Sequence, residues 1–237
     1  MPHQAALQDA AGFDAYAENY DAALDAGLSA TGEDKEYFAR GRVDRISAIV
    51  GSLGLEPNSV MDYGCGTGST TPLLLDAWED CTLIGVDSSV ESVRVAQSAR
   101  ESARAHFDVV TEYEPREKVD LVYCNGVFHH IPPSERPSAI RYVHDALVPG
   151  GVFACCENNP WNPGTRYVMR RIPFDRDAIP ISPPAARRML RAGGFEIVST
   201  EFLFFFPRAL AWLRAFERRL SRVPLGGQYI VFGRKPE

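Results

Sequence analysis

Val60-Met-Asp-Tyr-Gly-Cys-Gly-Thr-Gly68 decides how the chain is read. A short apolar run ends in an aspartate, and three glycines follow at alternate positions, Gly64, Gly66 and Gly68. Glycine reaches positive φ without steric penalty and lets a ligand touch the backbone closely. Residues 70–78 then carry a helical pattern, so the glycines occupy a strand-to-helix turn. In a doubly wound sheet, ligands bind beyond the carboxyl ends of the strands, where such a turn lies.

The rest of the chain supports that setting. Ala39, Val43, Ile46, Val50 and Leu53 recur at three- and four-residue steps and predict an amphipathic helix. Short runs at Ser59–Tyr63, 81–86, 105–110, 119–124 and 151–156 read as strands. They are apolar throughout, as expected for strands covered on both faces. Helical patterns at 70–78, Val90–Arg100 and 135–147 alternate with them, with Ser89 and Ser134 as expected N-caps. Segments 195–206 and Gln228–Arg234 read as two further strands. The alternation predicts a parallel sheet with helices on both faces.

Composition limits the class of protein. With 237 residues, 45% hydrophobic and 24% charged, the chain is of ordinary globular type, long enough for one large domain. Its five cysteines lie mostly inside apolar runs and show no zinc-type spacing, which predicts buried free thiols. Cys155 and Cys156 should point to opposite faces of one strand. The start, MPHQAALQDA, lacks an export signal and no apolar run approaches a membrane span, so a cytoplasmic protein is expected. The net charge of −6 is unevenly divided. Residues 160–237 hold 14 basic and 6 acidic residues, giving +8; residues 1–159 hold 11 and 25, giving −14. The acidic total and the lack of an appended binding module disfavour nucleic acid as a partner.

The glycine spacing separates two kinds of nucleotide site. Gly64-x-Gly66-x-Gly68 differs from the G-x-G-x-x-G that cradles a pyrophosphate. The second strand ends in Gly85-Val-Asp87, and an acidic residue there can accept hydrogen bonds from both hydroxyls of a ribose. A nucleoside ligand without a pyrophosphate is indicated. Over residues 58–157 the chain resembles the class I S-adenosylmethionine-dependent methyltransferases. The resemblance rests on VMDYGCGTG, IGVDSS, VDLVYCNGVFHHI and LVPGGVFACCE, in that order. It implies a Rossmann-like, doubly wound α/β fold with seven mostly parallel strands and an antiparallel last strand. It also implies S-adenosyl-L-methionine as cofactor, with S-adenosyl-L-homocysteine as product. By this likeness Gly64, Cys65, Gly66 and Gly68 pack under the cofactor, Asp62 contacts its amino end, Asp87 and Ser88 its ribose and adenine side, and Asn125 its methionine part. Thr111 stands where the family's Gly-Asp near the adenine would be. The same likeness places Tyr20 over the cofactor, with Tyr16 one helical turn away toward the acceptor.

One domain over 1–237 is expected, with a helical cap at 1–57, a cofactor-binding core at 58–157 and a substrate-determining lid and C-terminal strands at 158–237. His129 and His130 follow the fourth strand, where either could serve as general base; His130 is the preferred one. No metal cluster is evident at the strand tips. Glu157 and Asn158 should line the acceptor pocket at the end of the fifth strand. Among the arginines after residue 160, Arg166 and Arg170 are expected to bind an anionic, small-molecule acceptor through forked hydrogen bonds. The stretch FLFFFPRALAWLRAFERRL also reads as an aromatic run followed by a cationic amphipathic helix, suited to a membrane surface. The expected activity is methyl transfer to an O, N or C atom of the acceptor. Its rivals are a non-catalytic cofactor-binding subunit and a nicotinamide-dependent oxidoreductase.

Overall fold

A computed structural model describes residues 27–115, 118–175 and 178–237. Seven strands form one sheet: β1 Ser59–Tyr63, β2 Thr82–Asp87, β3 Ala105–Val109, β4 Val119–Asn125, β5 Leu147–Asn158, β6 Glu196–Leu203 and β7 Gln228–Arg234. The helices that matter below are α1 Lys35–Ser52, α2 Thr71–Ala77, α3 Val90–Arg100, α4 Arg136–Ala146, α5 Pro163–Met169 and α6 Pro183–Ala192. The spatial order is β3-β2-β1-β4-β5-β7-β6. Pairs β1–β2, β1–β4, β2–β3 and β4–β5 are parallel, while β7 runs antiparallel to both β5 and β6. The expected mixed sheet with one reversed strand is therefore present. Strands from 58–157 and from 158–237 belong to the same sheet, joined by the register Cys156↔Ile230.

The uniformly apolar strands have the predicted reason. Successive residues of β5 alternate between two separate cores: Phe153 and Cys155 pack on one face, Val152, Ala154 and Cys156 on the other. Strand β4 does the same with Val122 and Cys124 against Leu121 and Tyr123. All five cysteines are buried and free. Helix α1 covers one face with Val43, Ile46 and Val50, and α4 covers the other with Ile140 and Val143. Burying side chains of this size contributes about 1.5–3 kcal/mol each.

Helix starts follow from local chemistry. Asp34 caps α1 by accepting from the Tyr37 amide at 2.8 Å, and Ser89 caps α3 by accepting from Ser92 at 3.1 Å. Ser134 does not cap α4. The cap position is Glu135, without a side-chain bond, and a proline in the first turn starts the helix instead. The sixth strand also ends earlier than its apolar pattern suggested, at Leu203. Phe204 then turns the chain with φ 62°, a conformation that L-residues rarely adopt. Positions 208–220 form a 3-10 segment, Arg208–Phe216, kinked at Leu210, and one short turn, Glu217–Leu220, not the expected continuous amphipathic α-helix. Among the described residues no helix is long and apolar enough to cross a membrane.

Candidate active site

The strand order reverses between β1 and β4, and a crevice opens there beyond their carboxyl ends. It leads into a cavity of about 770 Å³. The glycine loop forms its floor, and its three glycines answer to three different neighbours. A Cβ on Gly64 would stand 2.2 Å from Val127, at the start of the turn after β4, so this glycine lets the two strand ends approach. A Cβ on Gly68 would press on Phe107 and Arg100 at 3.1–3.2 Å, so its bareness serves helix and strand packing. A Cβ on Gly66 would meet nothing among the described residues within 4 Å. Gly66 therefore borders open space, and the loop there, with φ 53°, forms a cradle that a side chain would fill.

Asp87, at the tip of β2, shapes that loop. Its carboxylate accepts from the Gly66 amide at 2.8 Å and from the Ser89 amide at 2.9 Å. Asp62 lies beneath, 2% exposed, on the cavity wall. Burial and the neighbouring Asp87 push its pKa up to about 7, against the opposing charge of Arg42. Arg42 is itself buried, on the inner face of α1. It donates to Tyr123 Oη at 3.2 Å and to Gln228 Oε1 at 2.9 Å, both uncharged acceptors. Gln228 in turn donates to Asn158 at 3.1 Å. Among the described residues no carboxylate pairs with Arg42, so a buried guanidinium faces the cavity with donors to spare. Asp62 and Arg42 together present opposite charges to one end of the pocket. That pair suits the ammonium and carboxylate of an amino acid.

The opposite wall is aromatic. Phe204 packs on Phe38 with ring centroids 4.9 Å apart and on Tyr37 at 5.8 Å. The guanidinium of Arg214 lies 4.6 Å from the Tyr37 ring centre and donates to Glu33 at 2.9 Å.

His129 and His130 occupy the turn after β4 and both line the cavity. Glu157, at the end of β5, accepts from the Phe128 amide at 3.0 Å and from His129 Nδ1–H at 2.5 Å. A carboxylate only accepts, so this contact leaves the proton on Nδ1 and directs Nε2 away from it. Asp175 Oδ1 lies 3.6 Å from His129 Nε2 and 3.4 Å from His130 Nε2. Burial by itself disfavours a charged imidazole, but the carboxylates of Glu157 and Asp175 outweigh it and raise the pKa of His129 to about 10. Burial likewise works against an ionised Asp175, and its two histidine contacts overcome this and hold its pKa below the ordinary value.

Not every expected residue arrives. Asp62, Gly64, Cys65, Gly66, Asn125 and Asn158 line the cavity, and so do both histidines. Asp87 and Ser88 lie beside the loop, and Gly68 and the exposed Thr111 stand back from the cavity. Tyr16 and Tyr20 lie outside the described residues. Glu157 does not line the pocket: it is 1% exposed and spends both oxygens on the histidine turn behind it. Arg166 and Arg170 are exposed on α5, which turns Thr165, Tyr167, Val168 and Met169 to the cavity instead. Of the more distant arginines, Arg214 reaches it. Where no metal-type cluster was expected, His129, His130 and Asp175 offer ligand atoms within 4.8 Å of one another. The segment after α5 does cross the mouth: Ile172 and Asp175 line it, and Ile179 donates to the His129 carbonyl at 2.8 Å.

Sequence reading missed Arg42, Gln228 and Asp175. Arg42 lies at the buried spacing of its helix, between Ala39 and Val43, and a basic residue on a buried stripe was the available signal. Nothing local marks the other two.

Comparison with known proteins agrees with this geometry. Residues 61–153 match the methyltransferase domain family. Over that stretch the chain is similar to a methyltransferase domain. It is 30% identical over 148 residues to the trans-aconitate 2-methyltransferase of Azoarcus sp. (strain BH72), covering 60% of this chain and 57% of that one. The chain spans about half the length of the curated relatives it matches. Among solved structures, a TehB-like SAM-dependent methyltransferase from Corynebacterium glutamicum superimposes with a TM-score of 0.60 at 17% identity, covering 94% of this chain and 99% of that one. The [4+2]-cyclase SpnF gives 0.58 at 22% identity, covering 81% and 80%. These two likenesses show the fold alone, which hosts more than one chemistry.

Proposed function

We propose that the protein moves a methyl group from S-adenosylmethionine to an O, N or C atom of a small anionic acceptor. The carrying observation is Gly66: a left-handed backbone residue, fastened by Asp87, whose missing side chain leaves room that no atom of the described residues uses. A nucleoside lying on this cradle puts its ribose beside Asp87 and its amino-acid end toward Asp62 and Arg42. Arg42, which no carboxylate pairs among the described residues, then gains a carboxylate and the raised Asp62 gains an ammonium, so each buried charge finds its partner. When bound, S-adenosylmethionine supplies an electrophilic methyl on a sulfonium sulfur, which leaves as a neutral thioether once the methyl is taken.

The protein's own residues do the positioning. Asn125 and the histidine turn stand at the tip of β4 and line the same cavity as the cradle. Tyr37, Phe38 and Phe204 form an apolar wall that excludes water. Holding two reactants in line can supply about 7–11 kcal/mol of the barrier. His130 and His129 are the side chains placed to meet the acceptor. The anionic character of the acceptor is supported by relatives named for trans-aconitate.

The reading also takes the chain as one domain with its cap, core and lid acting on a single site, and names no partner beyond the acceptor. The test is to incubate the full chain with S-adenosylmethionine and a panel of di- and tricarboxylates, including trans-aconitate, beside neutral analogues. Formation of S-adenosylhomocysteine dependent on a carboxylate is expected. Binding of the cofactor without product from any acceptor would instead favour a non-catalytic subunit.

A further inference from the structure

We propose that His129, His130 and Asp175 form a site for a divalent transition-metal ion, with its open coordination position toward the cavity. The three groups come from the turn after β4 and from the segment that crosses the mouth. The separations of 3.4 and 3.6 Å from Asp175 Oδ1 to the two Nε2 atoms fit poorly to hydrogen bonds. They do fit another geometry. Two ligand atoms about 2.0–2.2 Å from a tetrahedral ion lie roughly 3.3–3.6 Å from each other.

A second observation points the same way. His129 is 2% exposed, and its Nε2 is buried without a hydrogen-bond partner among the described residues. A buried, unsatisfied nitrogen aimed at a carboxylate that it does not reach calls for something between them. The opposite ring nitrogen is already held by Glu157, itself fixed by the Phe128 amide. Metal-bound histidines regularly donate their other N–H to a carboxylate, which sets the tautomer and the ring plane. Glu157 is the positioning residue in that arrangement. Two imidazoles and one carboxylate suit zinc, iron, cobalt or manganese and are a poor set for calcium or magnesium, which prefer oxygen.

With three protein ligands, a fourth position remains for an outside group, as in sites that bind substrate. That position opens on the cavity that all three residues line. An acceptor carboxylate or hydroxyl oxygen would occupy it; this part alone rests on the function proposed above. A proton shared in the same triad is the rival, because His129 held protonated between Glu157 and Asp175 would form an ion network without any metal.

The test uses the full chain, treated with a chelator, dialysed and titrated with Co²⁺ while the visible spectrum is recorded. One equivalent should bind, with the strong ligand-field bands of a four-coordinate ion. Asp175→Asn and His130→Gln should each weaken binding by at least about tenfold, and Glu157→Gln by about 10–100-fold. Should one of these variants fail to fold, the others read the same site. No visible bands in the wild-type protein, or equal affinity in wild type and variants, would overturn the proposal. Titrating the same samples with S-adenosylhomocysteine separates the two readings: intact cofactor binding without cobalt binding removes the ion alone.

Discussion

The floor of the cavity and its roof are built on different principles. The floor, from Asp62 to Ser89, is made by residues within one βαβ unit, and its key bond joins Asp87 to Gly66 across 21 positions. The roof is assembled from afar: Arg214 meets Glu33 across 181 positions, and His129 faces Asp175 across the whole of α4, β5 and α5. A floor closed by local geometry is fixed by the turn itself. A roof closed by distant side chains is free to differ, and under the proposed function it is what sets the acceptor. Substitutions in the floor should therefore alter fold or cofactor binding, while those in the roof should alter the acceptor.

The largest effect is expected at Gly64. Valine there meets Val127 at a distance no real contact tolerates and must hold a positive φ, which together should cost about 2–5 kcal/mol. Thermal unfolding should fall by roughly 5–15 °C. An unchanged melting temperature would show that the two strand ends are less tightly joined than described.

Next comes Asp87→Ala. It removes a charged acceptor from the Gly66 and Ser89 amides and from the ribose, so cofactor affinity should drop by about 1.5–3 kcal/mol. Calorimetry with S-adenosylhomocysteine measures it, and an affinity within twofold of wild type would place the ribose elsewhere.

Asp62 predicts a smaller effect with a definite sign. Its folded pKa is raised to about 7 by burial and Asp87, above the ordinary 3.8. Ionised Asp62 thus opposes folding, and its contribution becomes less favourable as pH rises from about 3.8 toward 7. Cofactor binding has the opposite trend, because the ammonium needs the carboxylate. Affinity should rise about tenfold between pH 6 and pH 8, and Asp62→Asn should flatten the curve. A steep rise that survives in the variant would assign the titration to another group.

The smallest effect belongs to Arg166 and Arg170. Both are exposed and stand away from the cavity, so alanine at either should change acceptor affinity by less than about twofold. A tenfold loss would bring α5's outer face into the site and restore the simpler reading of the basic C-terminal third.

The same contrast explains what could be read from sequence. Strands were legible because burial on both faces leaves an unbroken apolar run, as in Leu121–Val122–Tyr123–Cys124. The cofactor floor was legible because glycines are demanded at fixed positions in one turn. Yet the pattern did not tell Gly66, open to the cavity, from Gly64 and Gly68, which answer to packing. The histidine pair was visible, while its carboxylates were not: Glu157 looked like a pocket residue and proved to be a buried support, and Asp175 lay in a proline-rich stretch without a periodic signal. Arginine clusters were read by density. Density pointed to residues 160–237, but of the arginines lining the cavity Arg40, Arg42 and Arg100 come before that segment and Arg214 alone falls within it.

The claim at the centre is that Gly66 is bare for the sake of a ligand. Gly66→Asn tests it, since asparagine tolerates positive φ better than other side chains yet fills the cradle. Titrating wild type and variant with S-adenosylhomocysteine, beside their melting curves, should show binding in the wild type, a loss of at least about 100-fold in the variant and nearly unchanged stability. Equal affinity in the two proteins, or no binding in either, would contradict the account.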